Sequence, residues 1–237
     1  MKLAFFGAGG MGSVAIARAR AEGHDVGAVM TAKESSVGQR ELAEMLNGHD
    51  AAIDFSVGKA VFAHATACVL AGVPLIEGTT GWKKDERGTL QFVQDAGGSM
   101  VYGPNFSIGV NVFFRAVAGA AELLARFGGY DAYVEEAHHA RKKDSPSGTA
   151  IMLRDILQSK LGKEPPVASI RAGHNPGTHR VGFDSAADEI TLMHTARSRE
   201  GFAAGALLAA KWIGKRRGVY AFSEVLDDIL GMKGKAR

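Results

Sequence analysis

Two adjacent histidines, His138 and His139, lie in a segment that continues with three consecutive cations and a Ser-Gly-Thr turn. Histidine can donate a proton near neutral pH because its unperturbed pKa lies close to that range. Lysine side chains such as Lys142, and the backbone N–H groups at a helix start, bind carboxylates and phosphates. The segment is therefore typical of a site that protonates and holds a small anion.

The apolar run after Ser147 has helical character, and Ser147 is a suitable N-cap. Gly148 has no side chain, so a ligand can approach its backbone. The N–H groups of Gly148 and Thr149, the Thr149 hydroxyl and the helix dipole favour a carboxylate. The alternative is a routine helix cap, which this sequence would provide in any protein. The nearby histidines and Lys142 favour the anion site.

A glycine-rich turn at 7–12 directly follows the first apolar run, residues 3–6, and has the Gly-x-Gly-x-x-Gly form. Such glycines permit a tight turn, close approach of a pyrophosphate to backbone N–H groups, and close packing of helix on strand. A bare structural turn is the alternative, because a chain with 31 glycines gives chance matches. The position of the turn favours dinucleotide binding, with contacts expected from Gly7, Gly9, Gly10, Met11 and Gly12.

The second strand of a dinucleotide-binding sheet usually ends in an acidic residue that holds the ribose diol. Here Thr31 and Lys33 follow that strand instead. Lys33 is either a solvated loop residue or a cation for the 2′-phosphate of NADP. We expect both residues to contact the cofactor, with NADPH modestly preferred over NADH.

Two further turns follow predicted strands of the same sheet. Ligands of open parallel sheets bind beyond the carboxyl ends of the strands, so these turns would line the crevice. Ordinary turns are the alternative, since glycine suits both. The residues expected to contact the cofactor are Phe55, Ser56, Gly78, Thr79 and Thr80.

The elements that position these residues change character near residue 105. Before it, strands predicted at 3–6, 25–30, 51–55, 73–76 and 99–102 alternate with helices ending near 22, at 59–71 and at 84–95. This alternation predicts a parallel sheet covered on both faces. After it, helices are predicted at 108–127, 147–161, 201–213 and 223–230, and strands at 130–137, 169–172, 180–184 and 189–196.

We therefore predict an α/β protein with two domains. A Rossmann-type parallel-sheet domain comprises 1–106 and 200–237 and binds the dinucleotide. An α+β substrate domain with an open mixed sheet comprises 107–199 and also serves oligomerisation. The length of 237 residues and a hydrophobic content of 46% suffice for both cores.

Composition excludes several classes of protein. No apolar run reaches the ~18 residues that a membrane span needs, and the N-terminus lacks a cleavable signal, so we expect a cytoplasmic protein. The net charge of +3 is mild, and the basic residues form no stripe with interleaved aromatics, so no nucleic-acid partner is expected. The single cysteine, Cys68, excludes an internal disulfide and is expected to be a buried structural thiol.

A zinc site is another possible use of the eight histidines in the chain. His138 and His139 are adjacent, so on a strand they point to opposite faces. The sequence has no His-Glu-x-x-His motif and no cysteine pair. No metal site is predicted, and His24 and His64 are expected at the surface or on a helix face.

The segment 136–150 resembles the signature of the 4-hydroxy-tetrahydrodipicolinate reductase (dihydrodipicolinate reductase) family. The resemblance extends in order along almost the whole chain. It includes the glycine loop, Asp54-Phe55-Ser56, the turn 78–81, the run 105–111, and 194–199 with Phe202. Three positions depart from the family pattern: the glycine loop is one residue shorter, Thr31 replaces an acid, and Thr178 replaces a glutamate.

The resemblance implies reduction of 4-hydroxy-tetrahydrodipicolinate, a cyclic unsaturated dicarboxylate, by NADPH or NADH in diaminopimelate and lysine biosynthesis. It implies that His138 is the acid, with Lys142 as a competing or assisting donor. His139, Lys142, Gly148 and Thr149 would hold the substrate carboxylates. Residues that would close the cofactor pocket are Asn105, Phe106, Arg199 and Phe202. Members are typically homotetramers through the substrate domain's sheet.

Two other classes of function remain open. Another two-domain NAD(P)-dependent oxidoreductase of small carboxylates would share the fold, but a semialdehyde dehydrogenase needs a cysteine nucleophile and Cys68 is badly placed. A non-catalytic NAD(P)-sensing module would have no need of His138, His139 and Lys142 together. Turnover of NADPH with substrate distinguishes all three.

Overall fold

The computed structural model describes residues 1–32 and 37–232. The chain folds into two compact units: unit 1 comprises Met1–Ser107 with Arg199–Arg237, and unit 2 comprises Ile108–Ser198. The divisions expected after residues 106 and 199 lie next to these boundaries. The dinucleotide-binding, substrate-binding and oligomerisation roles given to the two parts stay predictions.

Unit 1 contains a six-stranded sheet in which every recorded strand pair is parallel. Its short strands lie in the spatial order β10-β5-β4-β3-β1-β2. The four inner strands are largely buried, and the edge strands β10 and β2 are only partly buried. Their bounds are β1 (Lys2–Phe6), β2 (Asp25–Met30), β3 (Ala51–Asp54), β4 (Leu75–Glu77), β5 (Ser99–Tyr102) and β10 (Gly218–Ala221). Continuous apolar runs such as 3–6 form such strands because helices cover both faces.

The helices of unit 1 are α1 (Gly12–Ala21), α2 (Gln39–Leu46), α3 (Val61–Ala71), α4 (Glu86–Asp95), α7 (Glu200–Ile213) and α8 (Phe222–Ile229). A 3₁₀ turn, Gly58–Ala60, leads into α3. In the sheet, β2 lies next to β1 on one side and β3 lies next to β1 on the other, so the strand order reverses at β1. This topological switch point is where open α/β sheets bind ligands.

Unit 2 contains a four-stranded mixed sheet in the order β7-β6-β8-β9. β6 (Asp131–His138) pairs parallel with β7 (Val167–Arg171) and antiparallel with β8 (Thr178–Asp184), which pairs with β9 (Glu189–Thr195). α5 (Ile108–Leu124) and α6 (Gly148–Leu161) supply the helical side of its core. The fold class predicted from the sequence is confirmed.

The core of unit 2 follows the period-two pattern of the strands. Val134 on β6 and Val181 on β8 are buried against α5 and α6. Glu135 and its register partner Arg180 belong to the opposite face, where they form an ion pair with an Nη1–Oε2 distance of 2.8 Å. One face therefore builds the core and the other is exposed.

Some elements differ from the sequence-based expectation. The helix α2 was not predicted, although Leu42, Ala43 and Leu46 form its buried stripe. β10 was also missed, because a four-residue, half-buried strand at a sheet edge has no distinctive pattern. β4 begins two residues later than expected, after Pro74, and α5 ends three residues earlier, at Leu124.

Cys68 lies buried on α3, as expected. Burial, with additional contributions from Asp54 and Glu77, raises the pKa of its thiol well above the ordinary range. Such a thiol has little thiolate character, which agrees with a structural role. Among the described residues, no helix is both long and apolar enough to cross a membrane.

Candidate functional site

The glycine loop of unit 1 connects β1 to α1 at the carboxyl ends of the parallel strands. Gly7 has φ +88°, and a Cβ there would lie 2.8 Å from the Phe55 carbonyl oxygen. A Cβ on Gly12 would collide with the Gly7 carbonyl oxygen. These two positions require glycine because strand, loop and helix approach so closely. A Cβ on Gly9 would meet nothing within 4 Å, so open space lies over that residue.

Arg199 lies against the same loop. A Cβ on Gly10 would collide with Nη1 of Arg199, which is itself exposed and precedes α7. Met11 is the N-cap of α1, whose first-turn N–H groups carry a partial positive charge. A helix start, an arginine and an uncovered glycine backbone together fit the pyrophosphate of a dinucleotide.

The end of β2 carries no acidic side chain at positions 31 and 32. Thr31 is exposed there. Lys33, the predicted partner of a 2′-phosphate, lies outside the described residues. The observed part of this strand end is therefore free of the carboxylate that would repel a phosphorylated ribose.

The turns after β3 and β4 are joined through one buried carboxylate, Asp54. Its Oδ1 accepts hydrogen bonds from Ser56 N at 2.8 Å and from Thr79 Oγ1 at 3.0 Å. A Cβ on Gly78 would collide with the Phe55 ring, so the two turns also pack directly. Phe55 and Ser56 are half-buried, and Thr80 is exposed at the rim of these turns.

His64 was expected at the surface or on a helix face, and its burial corrects the first of these alternatives. It lies on α3 but is only 1% exposed, with Nδ1 2.6 Å from Asp54 Oδ2 and its ring stacked on Phe6. Glu77, also buried, accepts from Thr79 N at 2.6 Å. Burial, and then the Asp54 charge, raise the pKa of Glu77 well above its ordinary value.

Three further residues expected at the cofactor occupy different environments in unit 1. Phe106 is buried, with its ring centroid 6.4 Å from that of Phe55, and therefore packs beneath the turns. Asn105 is half-buried, and its Oδ1 accepts from Ser107 N at 2.9 Å. Phe202 is half-buried in the first turn of α7.

In unit 2, β6 ends at His138, and the preceding residue on the same face is Glu136. His138 Nδ1 lies 2.6 Å from Glu136 Oε2. The other carboxylate oxygen accepts from Arg171 Nη2 at 2.6 Å and from Ser147 N at 3.1 Å. Burial acts to raise the pKa of Glu136, but hydrogen bonds, Arg171's foremost, outweigh it and lower the pKa to about 2.

His138 is 7% exposed, and the groups around it change its pKa in opposite directions. Burial lowers the pKa of His138, while Glu136 acts to raise it and Lys142 to lower it further. The net pKa is below the ordinary value. A bound anion beside the ring would raise the pKa of His138 again, because opposite charge favours the imidazolium.

Lys142 and Lys143 differ in their surroundings. The side chain of Lys142 is 24% exposed, and its Nζ lies 2.8 Å from Asp144 Oδ1. Lys143 is exposed. Only Lys142 is among the groups that act on the pKa of His138 and of His179. The two lysines, although adjacent in sequence, therefore lie in different environments.

Ser147 begins α6 as predicted, because its Oγ accepts from Ala150 N at 3.2 Å. The same oxygen lies 3.1 Å from His179 Nε2. Since Ser147 N also donates to Glu136, the residue links the helix start to the His138 environment. Gly148 is exposed and a Cβ there would meet nothing within 4 Å, so the first-turn backbone is accessible. Thr149 is half-buried.

His139 lies beyond the end of β6, where its backbone N donates to Asn175 O at 2.8 Å. It is half-buried, and its carbonyl oxygen accepts from Lys142 N at 3.1 Å. The backbone thus turns immediately after His138 and brings Lys142 back towards the strand end.

Glu136, His138 and His179 have ligand types that metal ions bind, and their polar atoms lie within 4.8 Å of one another. Two ligands of one tetrahedral zinc ion, each about 2.0–2.2 Å from it, would be separated by roughly 3.3 Å. The observed 2.6 Å contact between His138 and Glu136 is shorter than this separation and is that of an ion pair.

Four residues in these environments were not identified as site residues from the sequence. Glu136 was quoted within the motif, and its spacing of two from His138 on a strand is a signal that could have revealed it. Arg171 and His179 come from β7 and β8 and converge only through strand pairing. Glu77 precedes a glycine turn and gives no sequence signal of its own.

Comparison with known proteins gives a consistent result. The family model "Dihydrodipicolinate reductase, N-terminus" matches residues 1–106, and the corresponding C-terminus model matches 109–226. A relative from Christiangramia forsetii, named 4-hydroxy-tetrahydrodipicolinate reductase, is 38% identical over 192 residues, covering 76% of this chain and 80% of the relative. A relative of the same name from Methanococcoides burtonii is 36% identical over 231 residues, covering 88% and 85%.

A solved structure, dipicolinate-bound dihydrodipicolinate reductase from Paenisporosarcina sp. TG-14, has a TM-score of 0.79 to this chain. The alignment covers 94% of this chain and 98% of the other, at 20% sequence identity. At this identity the likeness concerns the fold.

Proposed function

Because the chain belongs to the dihydrodipicolinate reductase family, we propose that it reduces 4-hydroxy-tetrahydrodipicolinate to tetrahydrodipicolinate with NAD(P)H. It is an oxidoreductase of diaminopimelate and lysine biosynthesis. The observation in unit 2 that supports this chemistry best is the junction at Glu136. There a histidine, an arginine and the start of α6 meet one buried carboxylate.

The nicotinamide supplies a hydride to the substrate ring when the cofactor is bound. Conversion to tetrahydrodipicolinate also releases the 4-hydroxyl group of the substrate as water, and the chain must supply a proton to an electron-rich carbon or nitrogen of the ring. His138 is proposed as the acid, since its ring is held at the strand end and remains slightly exposed. Lys142 is the assisting or competing donor and acts on the same imidazole.

The substrate carboxylates are proposed to bind at the start of α6 and at the adjacent cation. The exposed Gly148 leaves first-turn N–H groups accessible, and the Thr149 hydroxyl lies beside them in sequence. Lys142 and His139 would pair with a carboxylate, because the backbone turn between them places both near the end of β6. Pyridine-2,6-dicarboxylate should therefore inhibit competitively with substrate.

The cofactor is proposed to bind along the carboxyl edge of the unit 1 sheet. The glycine loop, with Arg199 against Gly10, would hold the pyrophosphate, and the turns tied by Asp54 would lie under the nicotinamide. The proposed contact residues are Gly7, Gly9, Gly10, Met11, Gly12, Thr31, Lys33, Phe55, Ser56, Gly78, Thr79, Thr80, Asn105, Phe106, Arg199 and Phe202. The buried Phe106 would act by supporting the Phe55 turn.

A modest preference for NADPH is proposed because no carboxylate stands at Thr31 to repel a 2′-phosphate. One exposed Lys33–phosphate contact is worth about 1 kcal/mol, so the preference should stay under about tenfold and weaken with salt. Lys33→Ala should shift the KM ratio towards NADH without harming the NADH reaction. A wild type that favours NADH tenfold or more would contradict this assignment.

A homotetramer and a cytoplasmic location are also proposed. The tetramer would form through the unit 2 sheet, whose face opposite the core is exposed and whose outer strands leave backbone hydrogen-bonding groups to be satisfied. Light scattering of the purified protein at several concentrations tests this. A monomer at every concentration would contradict the proposed assembly.

The proposed function is tested by following NADPH oxidation with enzymatically made 4-hydroxy-tetrahydrodipicolinate. Turnover that depends on both substrates supports the reductase. Cofactor binding without turnover would favour an NAD(P)-sensing module, and turnover only with a different small carboxylate would favour another two-domain oxidoreductase.

A further inference from the structure

We propose that Glu136 is a positioning residue for the proton transfer: it holds His138 through Nδ1, so that Nε2 is the nitrogen that delivers the proton, and it fixes the start of α6 through the same carboxylate. This inference rests on the proposed reductase function. All the contacts that carry it lie within unit 2.

The contacts of Glu136 are divided between its two carboxylate oxygens. Oε2 lies 2.6 Å from His138 Nδ1, at ion-pair distance. Oε1 receives Arg171 Nη2 at 2.6 Å and Ser147 N at 3.1 Å. Each oxygen thus has its own role. Oε2 holds the imidazole of His138, and Oε1 links the carboxylate to Arg171 and to the start of α6.

Glu136 carries a fixed negative charge. Its side chain is 0% exposed and contacts the guanidinium of Arg171 directly. A buried carboxylate with a pKa of about 2 has no proton to give near neutral pH, so it cannot itself be the acid. A fixed negative charge beside a histidine instead stabilises the imidazolium and selects the tautomer that has its hydrogen on Nδ1.

The other ring nitrogen of His138 faces a glycine. A Cβ on Gly177 would lie 2.9 Å from His138 Nε2, and Gly177 has φ +151°. A residue with a side chain at this position would cover Nε2. Glycine therefore leaves uncovered the nitrogen that the Glu136 contact selects for proton delivery.

Glu136 is also linked to the anion-binding turn. Ser147 N donates to Glu136, while Ser147 Oγ caps α6 and contacts His179 Nε2. Arg171 Nη2, besides binding Glu136, donates to the Asp144 carbonyl oxygen at 2.6 Å. The acid and the carboxylate-binding helix start are thereby held against one another by a single side chain.

The charged and titratable groups that face His138 come from several elements. They are Glu136 on the same strand, Lys142 in the following loop, Arg171 on β7 and His179 on β8, whose ring centroid is 5.1 Å away. His194 on β9 adds to the field at His179. Glu136 is the one among these that acts to raise the pKa of His138.

The experiment compares Glu136→Gln with the matched control Glu135→Gln. Glu135 is the adjacent residue on β6, exposed on the opposite face and paired with Arg180. The dependence of kcat and KM on pH would be measured for wild type, both variants and Glu136→Asp. His138 would be observed in wild type and in Glu136→Gln by ¹⁵N-edited NMR of the imidazole nitrogens.

Glu136→Gln should lower kcat at pH 7.5 by about 10- to 1,000-fold while KM changes much less. The basic limb of its kcat profile should move to lower pH by about 1–3 units, because the carboxylate that favours the imidazolium is gone. Glu136→Asp should restore part of the shift, and Glu135→Gln should match wild type. In wild type, neutral His138 should carry its hydrogen on Nδ1.

An unshifted limb in a folded Glu136→Gln protein, with kcat reduced equally at every pH, would show a structural role only and overturn the proposal. If this variant fails to fold, the wild-type NMR experiment decides, since hydrogen on Nε2 of neutral His138 contradicts the proposed contact. That spectrum needs no turnover. A wild type without reductase activity would therefore refute the proposed function separately from the Glu136 contact.

Discussion

Each of the two units buries a histidine whose Nδ1 lies 2.6 Å from a carboxylate oxygen, His64 with Asp54 and His138 with Glu136. The first pair is sealed: its side chains are 1% and 0% exposed, and His64 stacks on Phe6 at 3.9 Å. In the second pair the His138 side chain keeps 9% exposure. The same type of pair is thus sealed in one unit and slightly exposed in the other, where we propose that it takes part in chemistry.

The second difference is the charge around each pair. Asp54 receives neutral donors, Ser56 N and the Thr79 hydroxyl, and its charge acts with burial to raise the pKa of a second buried acid, Glu77. Glu136 receives the cation Arg171. An acid-rich pocket raises carboxyl pKa values, whereas a cation-bound carboxylate stays ionised. The type of neighbour, more than the pair itself, decides what the histidine can do.

The largest expected effect is on kcat and concerns His138, the histidine of the more exposed pair. His138→Gln should lower kcat by about 100- to 10,000-fold and raise KM less, because glutamine keeps polarity but cannot act as an acid. Steady-state kinetics measure this. The exposed His174 supplies the control, since His174→Gln should leave kcat unchanged. An unaltered kcat in His138→Gln would move the acid role to Lys142 or to water.

The next effect is on the free energy of unfolding and concerns the sealed pair of Asp54 and His64. Asp54→Ala should lower the free energy of unfolding by about 3–5 kcal/mol, because it breaks a buried pair and removes the acceptor for two turns. Urea unfolding measures it. Asp95→Ala on the exposed end of α4 should change stability by under about 0.5 kcal/mol. A stable Asp54→Ala protein would refute the structural role of this pair.

The third effect tests the cation beside His138. Lys142→Ala should lower kcat/KM by about 30- to 1,000-fold, or ~2–4 kcal/mol, since a charge-assisted contact to a substrate carboxylate is lost. Cofactor affinity should stay nearly intact. Lys143→Ala is the matched control next to it in sequence, and it should have little effect. Equal behaviour of the two variants would mean that neither lysine binds substrate.

The smallest effect concerns pH and Glu77. Its folded-state pKa is raised by burial and by Asp54, so the wild type should lose stability as pH rises from about 4.5 towards that folded pKa. Glu77→Gln can still accept from Thr79 N and donate to Asp54, so it should match wild type in mild acid and exceed it at higher pH. Thermal unfolding across pH 5–9 measures the difference, and parallel curves would contradict it.

The sequence predicted most of the elements because their signals are local. Ser147 at the start of α6 and the apolar run of β1 illustrate this, since capping and burial of short runs follow from residue type. The misses have physical causes. α2 has only eight residues, and β10 is half-buried at an edge, so neither presents a long periodic pattern.

The candidate site was predictable only where its residues are close in the chain. His138, Lys142 and Gly148 belong to one segment, and their types and spacing place them together. Arg171 and His179 arrive through the pairing of β6 with β7 and β8, which no single segment specifies. The burial of His64 was not anticipated because its partner Asp54 lies on a different element.

The discontinuity of unit 1 bears on biosynthesis of the chain. β10 pairs with β5, and α7 packs near β3, β4 and β5, yet both follow unit 2 in sequence. On the ribosome, unit 2 is complete before these elements emerge, so it can fold first as a continuous piece. Until then, the strands β3, β4 and β5 of unit 1 keep apolar surface uncovered. We expect this interval to make nascent unit 1 a client of chaperones and slow its maturation relative to unit 2.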